Sequence, residues 1–236
     1  RRPVRTRAHH LCQLSGPLMP PPPVNWNELL DPSQAALLVM ECQKGVVLPS
    51  GGRFDQLAEA VAASGMLSHI ARLAQHARRC RVPVLYLTAS RRGDGRGSSS
   101  NCPLLAGTTA GSALTQGSDR QQIVDELRPE LSDFVVDRMH GVSPFHGTEL
   151  DPLLRNLGVR TVVATGVSVN VGIVGLTIEA VNAGYRVVIP RQAVAVVPAA
   201  YVEDVFRYTL RLLATIADTD QVCRLWAEYA RCRRPG

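Results

Sequence analysis

The sequence predicts an α/β fold, a mainly parallel central sheet covered by helices on both faces. Three observations predict it. Short, nearly continuous apolar runs such as AALLVM at 35–40 and VVATGV at 162–167 have the composition of strands buried on both faces. Between them lie segments whose apolar residues recur at three and four positions, the period of a helix. Strands that alternate with helices join as right-handed βαβ units and make parallel sheets.

The elements follow in order. Prolines 20–23 favour an extended segment, and NWNELLDPSQ connects it to AALLVMECQ, the first strand. Residues 56–79 carry helical periodicity with a break expected near Ser64-Gly65, and VPVLYLTA at 82–89 is a second buried strand. From 90 to about 118 the chain is polar and rich in Gly, Ser and Arg, and a loop of that length inside a compact domain reads as a lid over a site. A third strand is expected at 133–138, then a helix at 147–158 with Thr148 as N-cap and Gly158 as its stop. The fourth strand, RTVVATGV at 160–167, leads to a helix at 170–184, and YRVVIP at 185–190 is the fifth. Residues 199–231 are helical in period.

With 236 residues, 45% of them apolar and 19% charged, the chain is long enough for one substantial core. We expect one domain over 35–231, an N-terminal extension over 1–34 that is disordered in part, and a tail at 232–236. Met19, just before the prolines, suits the start of the globular chain. The formal charge of +6 owes four residues to Arg1, Arg2, Arg5 and Arg7, and the remainder is 22 basic against 20 acidic. With no basic stripe interleaved with aromatics, a nucleic-acid partner is not expected. No apolar run reaches membrane-spanning length, and the Arg-rich leader lacks the apolar segment of a secretory signal, so no membrane partner is expected either. The six cysteines, 12, 42, 80, 102, 223 and 232, show no metal or redox spacing and suggest free thiols in a reducing cytoplasm.

Open parallel sheets bind ligands beyond the carboxyl ends of their strands. Three places qualify. Glu41 follows the first strand, where lost hydration suits a carboxyl to general acid or base work. Gln43 is beside it, and Cys42, pointing to the opposite face by strand alternation, reads as a core thiol. In VVDRMHGVSPFHGTEL, Arg138 is a cation at a strand's end fit for an anionic substrate, and His140 and Phe145 are candidate contacts. In GVSVNVG, the backbone opening the helix at Ser168, Asn170, Val171 and Gly172 suits an anion or a developing oxyanion. Neither a dinucleotide nor a P-loop signature is present.

The stretches AALLVMECQ and VVDRMHGVSPFHGTELDPLLRNLGVRTVVATGVSVNVGIVGLTIEAVNAGYRVVIPRQAVA, spanning roughly 35–198, resemble the isochorismatase-like hydrolase superfamily. The resemblance implies a Rossmann-like three-layer α/β/α sandwich, assembled as a homo-oligomer. Most members use an Asp after the first strand, a Lys after the third and a Cys nucleophile opening the helix after the fourth. Here those positions hold Glu41, Met139 with Arg138 beside it, and Gly172. True isochorismatases resemble this chain in carrying Gly at the Cys position, and they cleave a vinyl ether by protonation from the strand-end acid followed by attack of water. Zinc-binding members supply an Asp and two His soon after the first strand, and ECQKGVVLPSGG has no His, so no metal or other cofactor is expected.

Two readings of function follow. In the first, the chain is a hydrolase acting on a small anionic substrate without a cysteine: Glu41 transfers the proton, Arg138 and His140 anchor the substrate, and the 168–172 backbone receives an anion. In the second, a protein of the same fold has lost catalysis and serves as a ligand-binding or oligomeric partner protein. A cysteine mechanism through Cys42 or Cys102 is the remaining alternative.

Overall fold

The computed structural model describes residues 23–52, 54–106 and 114–232, so the expectations for residues 1–18, for Cys12, for the middle of the 90–118 loop and for most of the tail lie outside it. In chain order the elements are α1 (Trp26–Leu29), β1 (Ala35–Met40), α2 (Lys44–Val47), α3 (Asp55–Ser64) and α4 (Met66–Arg79). Then come β2 (Val84–Ala89), α5 (Pro103–Ala106), β3 (Phe134–Arg138), α6 (Leu150–Asn156), β4 (Thr161–Val167) and α7 (Val174–Asn182). The chain continues through β5 (Arg186–Pro190), β6 (Val194–Ala195), α8 (Val202–Tyr208), β7 (Thr215–Ala217) and α9 (Thr219–Cys232).

The strands form one seven-stranded sheet in the order β3-β2-β1-β4-β5-β7, with β6 beside β4. Every pairing in it is parallel. Alternation along β1 sends Leu37 and Val39 into one core and Ala36, Leu38 and Met40 into the other, which is why all six positions are apolar. On the first face α4 presents Met66, Ile70, Leu73, Ala74 and Ala77, a stripe at helical spacing, and packs against α9. Trp226 of α9 is fully buried there, its indole N–H donating to the Leu30 carbonyl at 3.1 Å. On the second face lie Leu150 and Leu154 of α6, Leu176 and Ala180 of α7, and Val205 and Phe206 of α8. Two helical layers around one sheet make the three-layer sandwich.

The expected break after residue 64 is present: Gly65, at φ +65°, ends α3 and begins α4. Three expectations are corrected. Thr148 is not the N-cap of α6; Glu149 is, while the Thr148 hydroxyl accepts from the Leu150 N–H at 3.2 Å. The helix after β4 does not begin as an α-helix, because Val169–Ile173 form a π-helical turn before α7. The region 199–231 is not helical throughout: β7 lies inside it and pairs with β5. Three residues are too few to display alternation, and β7 exists because β5 offers it an edge. No helix among the described residues is long and apolar enough to cross a membrane.

At the sheet's centre β4 lies hard against β1, with Gly166 opposite Met40. A Cβ on Gly166 would sit 2.1 Å from the Met40 carbonyl oxygen, and Gly166 has φ +104°, a conformation L side chains rarely adopt. Replacing Gly166 by Ala is therefore expected to lower unfolding stability by roughly 3 kcal/mol or more, from strain and overpacking together. Urea denaturation checks this, and a loss under about 1 kcal/mol would contradict the contact.

Candidate active site

β1 delivers Glu41 to the carboxyl edge of the sheet in a left-handed backbone conformation, φ +50°. Such a conformation is uncommon outside glycine, and its cost is tolerated where surrounding structure imposes it. The Glu41 N–H remains bonded to the Leu87 carbonyl at 2.9 Å, so the turn starts from a fixed point. Two strands away, β3 ends at Arg138, which β2 registers opposite Ala89. The Arg138 side chain is 4% exposed and that of Glu41 21%, and Arg138 Nη2 pairs with Glu41 Oε1. A guanidinium buried this deeply needs a counter-charge, and Glu41 supplies it. The other Glu41 oxygen has no hydrogen bond among the described residues.

The neighbours of Glu41 serve the backbone. The Gln43 amide is fully buried, donating to the carbonyls of Ala89 at 2.8 Å and Gln121 at 2.7 Å and accepting from the Ala89 N–H at 2.8 Å. It ties the ends of β1 and β2 to the incoming loop, and it does not line the cavity described below. Cys42 points into the core on the α4 and α9 face. Burial, and after it the Glu41 charge, pushes its thiol far above the usual range, which removes the thiolate a nucleophile requires.

After β4 the chain passes Ser168, which lies at the start of the π-helical turn without capping it. The N–H groups of Val171 and Ile173 donate back to the Ser168 carbonyl at 3.3 and 2.9 Å. Gly172 is wedged into the sheet edge: a Cβ there would lie 2.7 Å from the Val167 carbonyl oxygen and 3.1 Å from Cε of Met40. The position has no room for a side chain as the backbone stands.

Glu41, Arg138, Ser168, Val171 and Gly172 converge on one cavity. Its remaining wall is mostly apolar, with Val46 of α2, Leu57 of α3, and Leu105 and Leu114 from the two ends of the long loop. Among the described residues no cysteine lines it. His140 and Phe145 lie elsewhere, His140 beside His146 with ring centroids 6.2 Å apart and Phe145 against Tyr185 at 6.0 Å. Asn170 is half-buried but is not among the lining residues. Met139, where the resemblance leads one to expect a lysine, is 44% exposed.

One charged cavity residue escaped the sequence reading. Arg91, directly after β2, is 5% exposed and lines the cavity with Glu41 and Arg138. It was hidden in SRRGDGRG, where three arginines share the composition of a polar loop. The available signal was its place, at a strand's carboxyl end like Glu41 and Arg138. The loop is anchored there: the Arg91 N–H donates to the Leu114 carbonyl at 2.8 Å and the Gln116 N–H to the Arg91 carbonyl at 2.8 Å. Among the described residues no three His, Cys, Asp or Glu side chains gather as a metal site.

This arrangement was compared with known proteins. The family model for the isochorismatase domain matches residues 35–221. The ureidoacrylate amidohydrolase RutB of Methylobacterium radiotolerans is 33% identical over 155 residues, covering 60% of this chain and 59% of that protein. Enterobactin synthase component B of Escherichia coli K12 is 26% identical over 149 residues, covering 63% of this chain and 47% of its own. The chain thus matches only part of the length of these relatives. Among solved structures, a cysteine hydrolase from Pseudomonas syringae pv. phaseolicola superposes with a TM-score of 0.73 at 24% identity, over 84% of this chain and 94% of its own. An isochorismatase family protein from Desulfovibrio vulgaris superposes with a TM-score of 0.71 at 26% identity, over 82% and 98%. With the domain model spanning most of its length and the same sheet beneath its cavity, the chain belongs to the isochorismatase domain family.

Proposed function

We propose that this protein is a hydrolase that acts on a small anionic molecule by proton transfer through Glu41, without a covalent thiol intermediate. The observation that carries the reading is the Glu41–Arg138 pair facing a cavity whose wall includes Gly172 and, among the described residues, no cysteine. Hydrolysis as the reaction type is supported by the relatives, which include an amidohydrolase and a cysteine hydrolase. An anionic substrate is supported by the cavity's charged groups, two guanidiniums against one carboxylate.

In this mechanism Glu41 takes up a proton on the oxygen that Arg138 leaves free and gives it to the terminal carbon of a vinyl ether's double bond, so that the carbon bearing the ether oxygen becomes electron-poor. Arg138, already on Oε1, steadies the carboxylate left behind. Water then adds to the electron-poor carbon and returns a proton to Glu41, and the hemiketal so formed collapses: its ether C–O bond breaks, its hydroxyl becomes a carbonyl, and the hydroxyl proton passes to the leaving alcohol. The Ser168 hydroxyl, half-buried at the cavity and free of a capping bond, is placed to orient the substrate. A non-catalytic ligand-binding protein is the second reading. It is favoured by Arg138 already occupying one Glu41 oxygen and by the exposed Met139 where the family places a lysine.

The two readings separate on Glu41→Gln, assayed by mass spectrometry against isochorismate, simple vinyl ethers, carboxamides and ureido acids. The hydrolase reading expects turnover in the parent, a fall in kcat of about 100-fold or more in the variant, and little change in binding. Absence of turnover from both folded proteins favours the binding protein. Iodoacetamide treatment is expected to leave the rate unchanged, and inactivation would return the chemistry to a thiol such as Cys102. Gly172→Cys is expected to cost roughly 1–3 kcal/mol of stability, because the new Cβ meets the Val167 carbonyl. A Gly172→Cys variant as stable as the parent would show that the turn yields easily.

A further inference from the structure

The cavity's charges are not equally committed. Arg138 and Glu41 neutralise one another directly. Among the described residues Arg91 pairs with no carboxylate: its Nη1 donates to the Ser90 carbonyl at 2.7 Å, and its Nε is buried with no partner. The nearby Asp137 carboxylate is taken up by the hydroxyls of Thr88 at 2.8 Å and Ser90 at 2.5 Å. Burial, and next the Arg138 charge, pull the Arg91 guanidinium below its usual range, with Glu41 and Asp137 opposing. A buried cation without an ionic partner is costly, and a bound anion relieves that cost.

Around this cation the wall is hydrocarbon. Val46, Phe54, Leu57, Leu105, Leu114 and Val142 come from four separate parts of the chain, and among the described residues Ser168 is the one hydroxyl in the lining. A second carboxylate on the ligand would find Arg138 already paired, and a polar body would lose hydration without gaining partners.

Resting on the hydrolase reading for the site's purpose, we propose that its substrates are monocarboxylates with an apolar body. The carboxylate is anchored on Arg91, and the body lies against the wall formed by α2, α3 and the loop leucines. Arg91 is then the specificity-determining residue, reading the head group while Glu41 acts further along the molecule. Dianions and neutral isosteres of the same length are disfavoured.

Calorimetry with three six-carbon probes tests this without requiring turnover: hexanoate, its neutral counterpart hexanamide, and the dianion adipate. Hexanoate is expected to bind at least tenfold more tightly than either of the others. In Arg91→Met, hexanoate should weaken at least tenfold and fall to the level of hexanamide, whose own affinity stays unchanged. Arg91→Lys should recover part of the preference, and it replaces the Met variant if that protein fails its circular dichroism check. Equal binding of hexanamide and hexanoate by the parent, tighter binding of adipate, a preference that survives in Arg91→Met, or no binding of any probe overturns the proposal. A hexanoate preference in a protein that shows no turnover would instead sink the hydrolase reading and leave this assignment standing.

Discussion

The closeness of β4 to β1 is the constraint on which the rest of this structure depends. Gly166 and Gly172 both approach Met40, one through backbone and the other through its side chain, and a Cβ on either would be driven into main-chain oxygen. This contact draws the turn after β4 down onto the end of β1, so that Glu41, Ser168 and Gly172 share one cavity wall. It also leaves no room for a side chain at Gly172. The glycine at 172 and the tight sheet edge are therefore one feature of the molecule, since the space a side chain would need there is filled by Met40 and the Val167 carbonyl.

A second constraint is electrostatic. Two arginines at adjacent strand ends are taken almost wholly out of water, and one glutamate faces them. Such a set persists only where backbone carbonyls and the opposite charge absorb the desolvation. The carbonyls of Thr88 and Val142 lie 3.4 Å from the Arg138 guanidinium and that of Ser90 2.7 Å from Arg91, while Gln43 holds the strand ends in register beneath them. The cavity in this sense sets charged groups at the strand ends against a mostly apolar wall.

Much of the architecture was legible in the chain itself. β1, β2 and β4 announce themselves because strands buried on both faces leave no polar positions, and α4 does so because its apolar stripe keeps strict helical spacing. Glu41 was legible for a related reason, as a charge that directly follows such a run, and Arg138 as a cation at the end of the expected third strand. β6 and β7 were not, because two or three residues carry no period. Arg91 was not, because the loop that follows it shares its composition, and nothing local distinguishes an arginine turned inward from one turned to water.

What the sequence by itself determined is the alternation of buried strands and amphipathic helices, and with it the parallel sheet and the edge at which a ligand must sit. Tertiary structure alone decided which side chains meet there. Gln43 proved to be a backbone brace and His140 a neighbour of His146, while Arg91 joined Glu41 and Arg138 from a different strand. The physical reason is that periodicity records only whether a residue faces the core. The partners it finds depend on strand register and on the close approach of distant backbones, which no local pattern encodes.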